Sequence, residues 1–234
     1  MIREVILFSK SSRAKFIHPL LKLFFCLIAI ALLGYSNSKL FFSLNIALFI
    51  ILHLYYKTPS YMVTKFSMYL ISFYLIAALA FLIGGDIQYL ITITLRGAAN
   101  SIAITFLIFT TPLDDILFVL SKHKNISEII DIAKLMERYV ILLEEELELM
   151  IKSAKSKGGF DSAKKSIRTT STIAGMLFIN TFNRWREIKD SINSRGYKGK
   201  LYYSELEVDN SIKINITILL LTILEITAFI LTST

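Results

Sequence analysis

The sequence predicts an all-α polytopic membrane protein. Of its 234 residues, 54% are hydrophobic, with 17 Phe and 11 Tyr but only 3 Pro. This composition is too apolar and too aromatic for an ordinary soluble domain of this length. Several segments approach the roughly 20 apolar residues that span a bilayer as a helix. They are residues 20–35, 40–56, 66–85, 87–111 and 212–231, so we expect about five transmembrane helices.

The distribution of Lys and Arg over the loops predicts the orientation. These residues are Arg3, Lys10, Arg13 and Lys15 before the first span, then Lys39, then Lys57 with Lys65, and none in residues 84–89. Cytoplasmic loops carry an excess of such residues. We therefore expect a multi-pass protein of the cell (plasma) membrane, with its N-terminus in the cytoplasm and its fourth span returning there.

The chain divides by composition into three regions. Residues 1–111 form the N-terminal membrane region with about four spans, residues 112–211 a cytoplasmic region, and residues 212–234 a C-terminal transmembrane helix. The cytoplasmic region holds 16 of the 26 basic and 15 of the 18 acidic residues, so the net charge of +8 comes mostly from outside it. The excess indicates orientation and contact with anionic lipid of the bilayer, not nucleic acid binding.

Two long amphipathic helices are predicted in the cytoplasmic region, after a helix start at Thr111-Pro112. The first runs from about Asn125 to Lys157, and the second covers residues 173–192 and ends at Arg195-Gly196. Apolar residues recur at spacings of three and four along both. We expect the stripe of the first helix to pack on the chain itself, with a groove for a soluble partner as the alternative.

Residues for catalysis or metal binding lack the required spacing. His18, His53 and His123 are scattered, and Cys26 is the single cysteine. A phosphate-binding glycine loop and a serine nucleophile elbow are both absent from the sequence, and the acidic run 144–146 is typical of a solvated helix face. We therefore expect no metal site, no cofactor and no catalysis by this acidic run.

Two ionisable residues well inside predicted spans need an explanation, Arg96 in the fourth and Glu225 in the last. A charge in hydrocarbon costs several kcal/mol unless it finds water or a partner. Their opposite charges allow an ion pair. Alternatively, Arg96 marks a bend or an interfacial position and Glu225 extends towards the interface.

Two similar phrases end the two amphipathic helices. They are Ser156-Lys157-Gly158 and Ser194-Arg195-Gly196. A cation in a last turn followed by glycine is ordinary helix termination, because the cation suits the negative helix end and glycine adopts the left-handed cap. Each phrase is therefore either a helix cap or a contact for a partner.

Six elements in a fixed order resemble a known family. They are His18-Pro19-Leu20-Leu21-Lys22-Leu23, Leu95-Arg96-Gly97, Thr110-Thr111-Pro112-Leu113-Asp114, Met136-Glu137-Arg138-Tyr139-Val140 with Glu144-Glu145, and the two cation-glycine helix ends. Together, over residues 19–202, they resemble the transmembrane T component of energy-coupling factor (ECF) transporters. The segments 138–143 and 194–199 look closer to its cobalt and nickel branch, the CbiQ-like proteins.

The resemblance implies a non-catalytic permease subunit of an ABC-type importer. Its partners would be two cytoplasmic ABC ATPase subunits, which hydrolyse ATP, and a membrane S component, which captures the substrate. Lys157 and Arg195 would each contact one ATPase, with Ser156, Gly158, Ser194 and Gly196 keeping the approach close. The family usually has Arg where this chain has Lys157, and Lys lacks the bidentate fork of Arg.

The resemblance favours cobalt(II) as the transported substrate, with nickel(II) next and a vitamin third. Two other functions stay open. One is a membrane-anchored scaffold or signalling protein whose helices bind a soluble partner. The other is an intramembrane enzyme, which would need two polar residues at matched depth and for which Arg96 and Glu225 are the candidates.

Overall fold

The computed structural model describes residues 2–12, 14, 17–82, 87–121, 127–196 and 212–233, and within these ranges the chain forms helices and no strand. The helices are α1 (Ile2–Ser11), α2 (Pro19–Tyr35), α3 (Lys39–Tyr55), α4 (Ser60–Leu82), α5 (Ile87–Thr110), α6 (Leu113–Ser121), α7 (Ser127–Ser156), α8 (Ala163–Ser194) and α9 (Ile212–Ser233). The predicted all-α fold is confirmed for this part of the chain.

Three of these helices are long and apolar enough to cross a membrane. The qualifying segments are Ser60–Leu79 in α4, Ile87–Thr110 in α5 and Asn215–Thr232 in α9. The helices α2 and α3 are also apolar, but each has 17 residues, the lower end of the range that spans a bilayer. The five predicted spans correspond to these five helices, and the chain is an all-α membrane protein.

Two helices begin earlier than the apolar pattern predicts. The helix α4 begins at Ser60, ahead of the predicted residue 66, and its predicted end at residue 85 lies outside the described residues. The helix α8 begins at Ala163, ahead of residue 173, because the Lys165 backbone N–H donates to the Ser162 hydroxyl over 3.3 Å. This N-cap starts α8 within polar, exposed residues, which an apolar periodicity does not detect.

The first helix, α1, was not among the predicted elements. It carries Glu4 in its first turn and Lys10 in its last turn, and these charges match the positive and negative ends of the helix dipole. The Lys10 ammonium also forms an ion pair with Asp114 of α6 at 2.6 Å. The basic N-terminal segment is thus partly a structured helix.

The chain forms two compact units. One consists of Glu4–Val119 and Glu205–Thr234 and the other of Met1–Arg3 and Leu120–Ser204. We call the first the membrane unit, since it contains α2 to α5 and α9, and the second the hydrophilic unit, since it contains α7 and α8. The predicted boundary between residues 211 and 212 adjoins residues that are not described. The three-region division stays a prediction.

Aromatic side chains form the centre of the membrane unit. The Phe49 ring packs edge-on against Phe106 with centroids 5.8 Å apart and lies 5.6 Å from the ring of Phe25. These three residues belong to α3, α5 and α2 and are almost completely buried. They therefore join three apolar helices through one cluster, to which small residues such as Ala29 and Ala103 also belong.

The helices α4 and α5 pack closely because α5 presents small residues to its neighbour. A Cβ atom at Gly97 would lie 2.4 Å from Cγ of Tyr74 in α4. Further along, the hydroxyls of Ser67 and Thr105 lie 3.3 Å apart across the same pair of helices. Small residues and hydroxyl contacts are the usual means by which helices associate in a membrane.

Candidate functional site

The end of α7 has the geometry of a glycine cap. Its last residue, Ser156, donates its hydroxyl to the carbonyl of Lys152 over 3.1 Å. Gly158 follows with φ of +67°, the left-handed region that glycine adopts without a steric penalty. The Gly159 backbone N–H closes the turn on the carbonyl of Ala154 at 2.9 Å. Lys157 therefore sits at a defined helix end.

The end of α8 repeats this arrangement. Ser194 is the last helical residue, and its hydroxyl donates to the carbonyl of Asp190 over 2.8 Å. Arg195 is the C-cap residue, and its backbone N–H contacts the carbonyl of Ser191 at 3.2 Å. Gly196 has φ of +70°. The two helix ends that the sequence singled out are thus built alike.

Both cations at these ends are exposed to solvent. Two ion pairs of the hydrophilic unit join Lys152 to Glu148 and Lys165 to Asp161, and neither includes Lys157 or Arg195. An exposed cation on a rigid helix end keeps its charge available for a carboxylate of another protein. The geometry is therefore compatible with both the cap and the contact interpretation.

The two helix ends lie far apart along the hydrophilic unit. Asn180 of α8 donates to Glu146 of α7 at 2.5 Å, and Thr169 donates to the Gly159 carbonyl at 2.8 Å, so the helices run antiparallel. The 32 residues of α8 correspond to roughly 48 Å of helix axis. Since α8 separates Lys157, near its beginning, from Arg195, at its end, the two cations can meet two separate partners.

A groove of about 570 Å³ between α7 and α8 includes Lys157 in its wall. Arg168 adds a second cation to this groove, and Met150, Ile173 and Met176 contribute apolar wall. Arg168 was not among the predicted contact residues. Its signal was weak, because Arg168 belongs to the polar beginning of α8, where apolar periodicity is missing.

Large apolar side chains on the hydrophilic unit are exposed. Phe178, Phe182 and Trp185 of α8 are each more than half exposed, and so are Ile132 and Met136 of α7, which belong to the predicted stripe. The expectation that the apolar stripe of α7 packs on the chain itself is wrong for these two residues. The reason is that α7 contacts α8 along only part of its length, near Glu146 and the turn. Exposed apolar surface of this kind is typical of a site that contacts another protein or a membrane.

Arg96 and Glu225 do not pair. The Arg96 guanidinium donates to the Ser36 carbonyl at 2.7 Å and to the Asn37 side chain at 2.9 Å, beyond the end of α2. It also lies 5.7 Å from the ring centre of Phe42. Arg96 thus holds the connection between α2 and α3 through Nη2, while its Nε has no hydrogen-bond partner among the described residues. Glu225 is buried in α9, and no described residue donates to its carboxylate.

Lys22 joins two of the sequence elements on which the family resemblance rested. It is 2% exposed, and its ammonium donates to the carbonyls of Ala14 at 2.9 Å and Thr110 at 2.7 Å. Residues 88 positions apart in the chain therefore meet at the beginning of α2 and the end of α5. A charged side chain satisfied by carbonyls explains how a lysine is buried at this depth.

Possible metal ligands are dispersed in the described part of the chain, where no three His, Cys, Asp or Glu side chains converge. His53 instead contacts the hydroxyl of Thr58 through Nδ1 at 2.8 Å. His123 lies outside the described residues.

One family of known proteins matches most of this chain. Residues 7–204 match the family described as "Cobalt transport protein", CbiQ. An uncharacterised protein of Methanocaldococcus jannaschii is 29% identical over 108 residues, 46% of this chain and 40% of the relative. A fused cobalt transport protein, CbiMQ, of Methanocorpusculum labreanum is 31% identical over 139 residues, 59% of this chain and 23% of the relative.

A third relative is the cobalt transport protein CbiQ of Rhodobacter capsulatus, which is 26% identical over 109 residues, 47% of this chain and 45% of the relative. The chain thus matches less than half the length of each of these relatives. The family match, by contrast, covers most of the chain, including both cation-glycine helix ends.

Proposed function

This chain belongs to the CbiQ family of cobalt transport proteins, and from this premise we propose that it is the coupling subunit, or T component, of an ECF-type ABC importer. In this role it transmits the motion of two cytoplasmic ATPases to a membrane S component that captures the substrate. It is a permease component that performs no chemistry of its own, and ATP is hydrolysed on the partner chains.

The observation that carries this proposal is the repeated helix end. Ser156-Lys157-Gly158 and Ser194-Arg195-Gly196 share a back-bonded serine, an exposed cation and a left-handed glycine. One such end is ordinary helix termination. Two built alike, on two long helices of one unit, supply one cationic contact for each of two ATPases.

A rigid helix that ends in a cation can act as a lever. The cation forms a charge-assisted hydrogen bond with a carboxylate of the ATPase, and rigid-body motion of the ATPases then moves the helix as one piece. Arg195 offers two parallel N–H donors, whereas Lys157 offers a compact point charge. We therefore assign the stronger contact to α8.

The proposed substrate is cobalt(II), with nickel(II) as the next candidate. Support comes from the family description and from the Rhodobacter relative, which is named as a cobalt transport protein. The name of the Methanocorpusculum relative describes a fused protein, and this chain matches 23% of it. The fusion of two proteins in that relative supports a partner subunit for this chain. A vitamin-type importer is the alternative.

The same proposal assigns the topology. The N-terminus and the hydrophilic residues 112–211 lie in the cytoplasm, where the ATPases are, and residues 1–111 and 212–234 supply the multi-pass anchor in the plasma membrane. This assignment is supported by the distribution of Lys and Arg over the loops.

Charge reversal at Arg195 tests the proposal. The tagged chain is purified in mild detergent from its native membrane, and the ATPase subunits that accompany it are quantified by mass spectrometry. Arg195→Glu should remove the ATPases while membrane insertion stays intact, since the new carboxylate repels the ATPase carboxylate that would bind the guanidinium. Arg186→Glu is the matched control, because Arg186 is also exposed on α8 but lies before its end.

Recovery of ATPases at the unaltered level with Arg195→Glu would refute the docking role. Recovery of the unaltered chain with unrelated soluble proteins instead of ATPases would support a scaffold or signalling protein, for which the exposed apolar side chains of α8 offer a surface. Metal analysis of the purified complex separates cobalt and nickel from a vitamin.

A further inference from the structure

A cavity of about 390 Å³ lies between α3 and α9 in the membrane unit. Of the residues in its wall, only Asn45 and Glu225 are polar, and the others are apolar. The wall residues Leu44, Ile51 and Leu224 are 50%, 64% and 54% exposed. The cavity therefore reaches the outer surface of these two helices, which faces lipid or another membrane protein.

Three side-chain oxygen atoms in the wall of this cavity lack a hydrogen-bond donor among the described residues. Asn45 is 4% exposed and Glu225 is 2% exposed. Within the described residues, no donor reaches either carboxylate oxygen of Glu225 or the side-chain oxygen of Asn45. An ionised carboxylate in hydrocarbon is costly unless it is paired, and such a residue inside a span points to a function. The oxygen atoms of Glu225 and Asn45 thus favour a ligand that donates hydrogen bonds, and the carboxylate favours one with a positive charge.

A metal ion fits this cavity poorly. Glu225 and Asn45 offer three oxygen atoms without a donor, while the remaining described wall is apolar. Divalent transition metals need several ligands arranged around them. The volume is also far larger than the roughly 10–15 Å³ that one water-sized particle needs by this measure. The size and the apolar wall favour a long organic side chain.

A phospholipid headgroup does not match the depth of the site. Glu225 lies 13 residues after Ile212 and 8 residues before Ser233 in α9, which corresponds to roughly 20 Å and 12 Å of helix axis. Headgroup amines stay in the interfacial region, outside the hydrocarbon core. A donor at this depth has to be carried there by a protein segment.

We propose that the cavity between α3 and α9 receives a Lys or Arg side chain from a transmembrane helix of a partner membrane subunit. The aliphatic stem of this side chain packs along Leu48, Leu221 and their neighbours, and the charged head meets Glu225 and the Asn45 oxygen. The inference rests on the proposed function only in that the transporter contains a second membrane subunit.

Substitutions in the cavity wall test the contact in the complete complex. Glu225→Gln keeps the shape of the side chain and removes its charge. It should lower the recovery of the membrane partner by at least about tenfold, because removing one member of a buried charge pair leaves the other unpaired. Thr227→Val is the control, since its hydroxyl is exposed on α9 and donates to Leu224 within the same helix.

The ATPases recovered in the same samples separate this inference from the proposed function. Loss of the membrane partner with retention of both ATPases supports the cavity contact. Equal recovery of the partner with Glu225→Gln and Thr227→Val overturns it. Absence of ATPases from the unaltered complex contradicts the coupling role and leaves the cavity result to be judged by the membrane partner alone.

Photo-crosslinking decides the occupant even if the substitutions lower stability. A photoreactive amino acid replaces Leu44, which lines the cavity, or Ile50, which is 44% exposed on α3 but outside the cavity. The Leu44 position should crosslink to a transmembrane segment of another polypeptide that contains Lys or Arg, and Ile50 should not. A product with lipid, with a second copy of this chain or with a segment lacking such a cation overturns the proposal, as does no product.

A charge exchange completes the test. Glu225→Lys should abolish partner recovery, and an acidic substitution of the crosslinked Lys or Arg should restore it. Failure of the exchange to restore recovery, with both single variants still inserted in the membrane, overturns the pairing.

Discussion

The conformation of Gly196 allows a quantitative test of the helix end that carries Arg195. Gly196 has φ of +70°, and a Cβ atom placed there would meet nothing within 4 Å. The Gly196→Ala substitution therefore changes only the backbone preference, without a steric clash. A left-handed residue other than glycine costs about 1–2 kcal/mol. The Gly196→Ala variant avoids this cost in the free state by rearranging the last turn of α8. Docking on the ATPase then has to restore the left-handed conformation.

The expected loss of ATPase affinity follows from that cost. Since about 1.4 kcal/mol corresponds to tenfold, Gly196→Ala should weaken ATPase binding by roughly 5-fold to 30-fold. Gly196→Asn should retain most of the affinity, because asparagine tolerates the left-handed conformation. Gly175→Ala is the control, since Gly175 lies inside α8 with open space around it. There alanine raises the helix propensity by up to about 1 kcal/mol and should leave binding unchanged.

The assay is titration of the detergent-purified chain with its ATPase partner, with circular dichroism to confirm that the helical content is unchanged. Binding of Gly196→Ala as tight as that of Gly175→Ala would show that docking does not use the left-handed turn. Binding of the asparagine variant as weak as that of the alanine variant would show that the side chain at position 196, not its conformation, is responsible.

Three further predictions concern packing, a buried charge and the second contact. Gly97→Ala places a Cβ atom 2.4 Å from Cγ of Tyr74. It should destabilise the membrane unit by about 1–3 kcal/mol, measured as a lower thermal midpoint in detergent. An unchanged midpoint would mean that α4 and α5 separate easily. Lys22→Met leaves two carbonyls without their charged donor and should lower the stability of the membrane unit by about 2–5 kcal/mol. Lys39→Met, at an exposed position, should leave the stability unchanged. Equal effects of the two substitutions would argue against a stabilising role for the buried hydrogen bonds of Lys22. Lys157→Arg should preserve or strengthen ATPase co-purification because it adds a bidentate donor, and a clear loss would indicate a partner that fits only an ammonium.

Much of the architecture was predictable from local pattern. The apolar runs located α2, α3, α5 and α9 to within a residue or two, because a bilayer requires a continuous apolar length from each span. The cation-glycine phrases located the ends of α7 and α8, since helix termination depends on a few adjacent residues. The beginnings of α4 and α8 were placed too late, because polar, exposed turns carry no apolar signal.

The polar contacts of the membrane unit were less predictable. Opposite charges made Arg96 and Glu225 a plausible pair, yet Arg96 bonds to Ser36 and Asn37. Charge alone does not give depth or direction, and a hydrogen bond needs both. The residues around Lys22 did not predict that it is a buried hydrogen-bond donor, because its acceptor at Thr110 lies 88 residues away in sequence.

The sequence by itself determined the class of the protein, the number of its long apolar helices and the residues that end α7 and α8. These properties depend on composition and on neighbours within a few residues. Only the tertiary structure decided which polar side chains meet and which stay without a donor. It placed Lys22 on two carbonyls and left Glu225 in the wall of a cavity beside Asn45. Such outcomes depend on the mutual rotation and depth of packed helices, which result from all their contacts together.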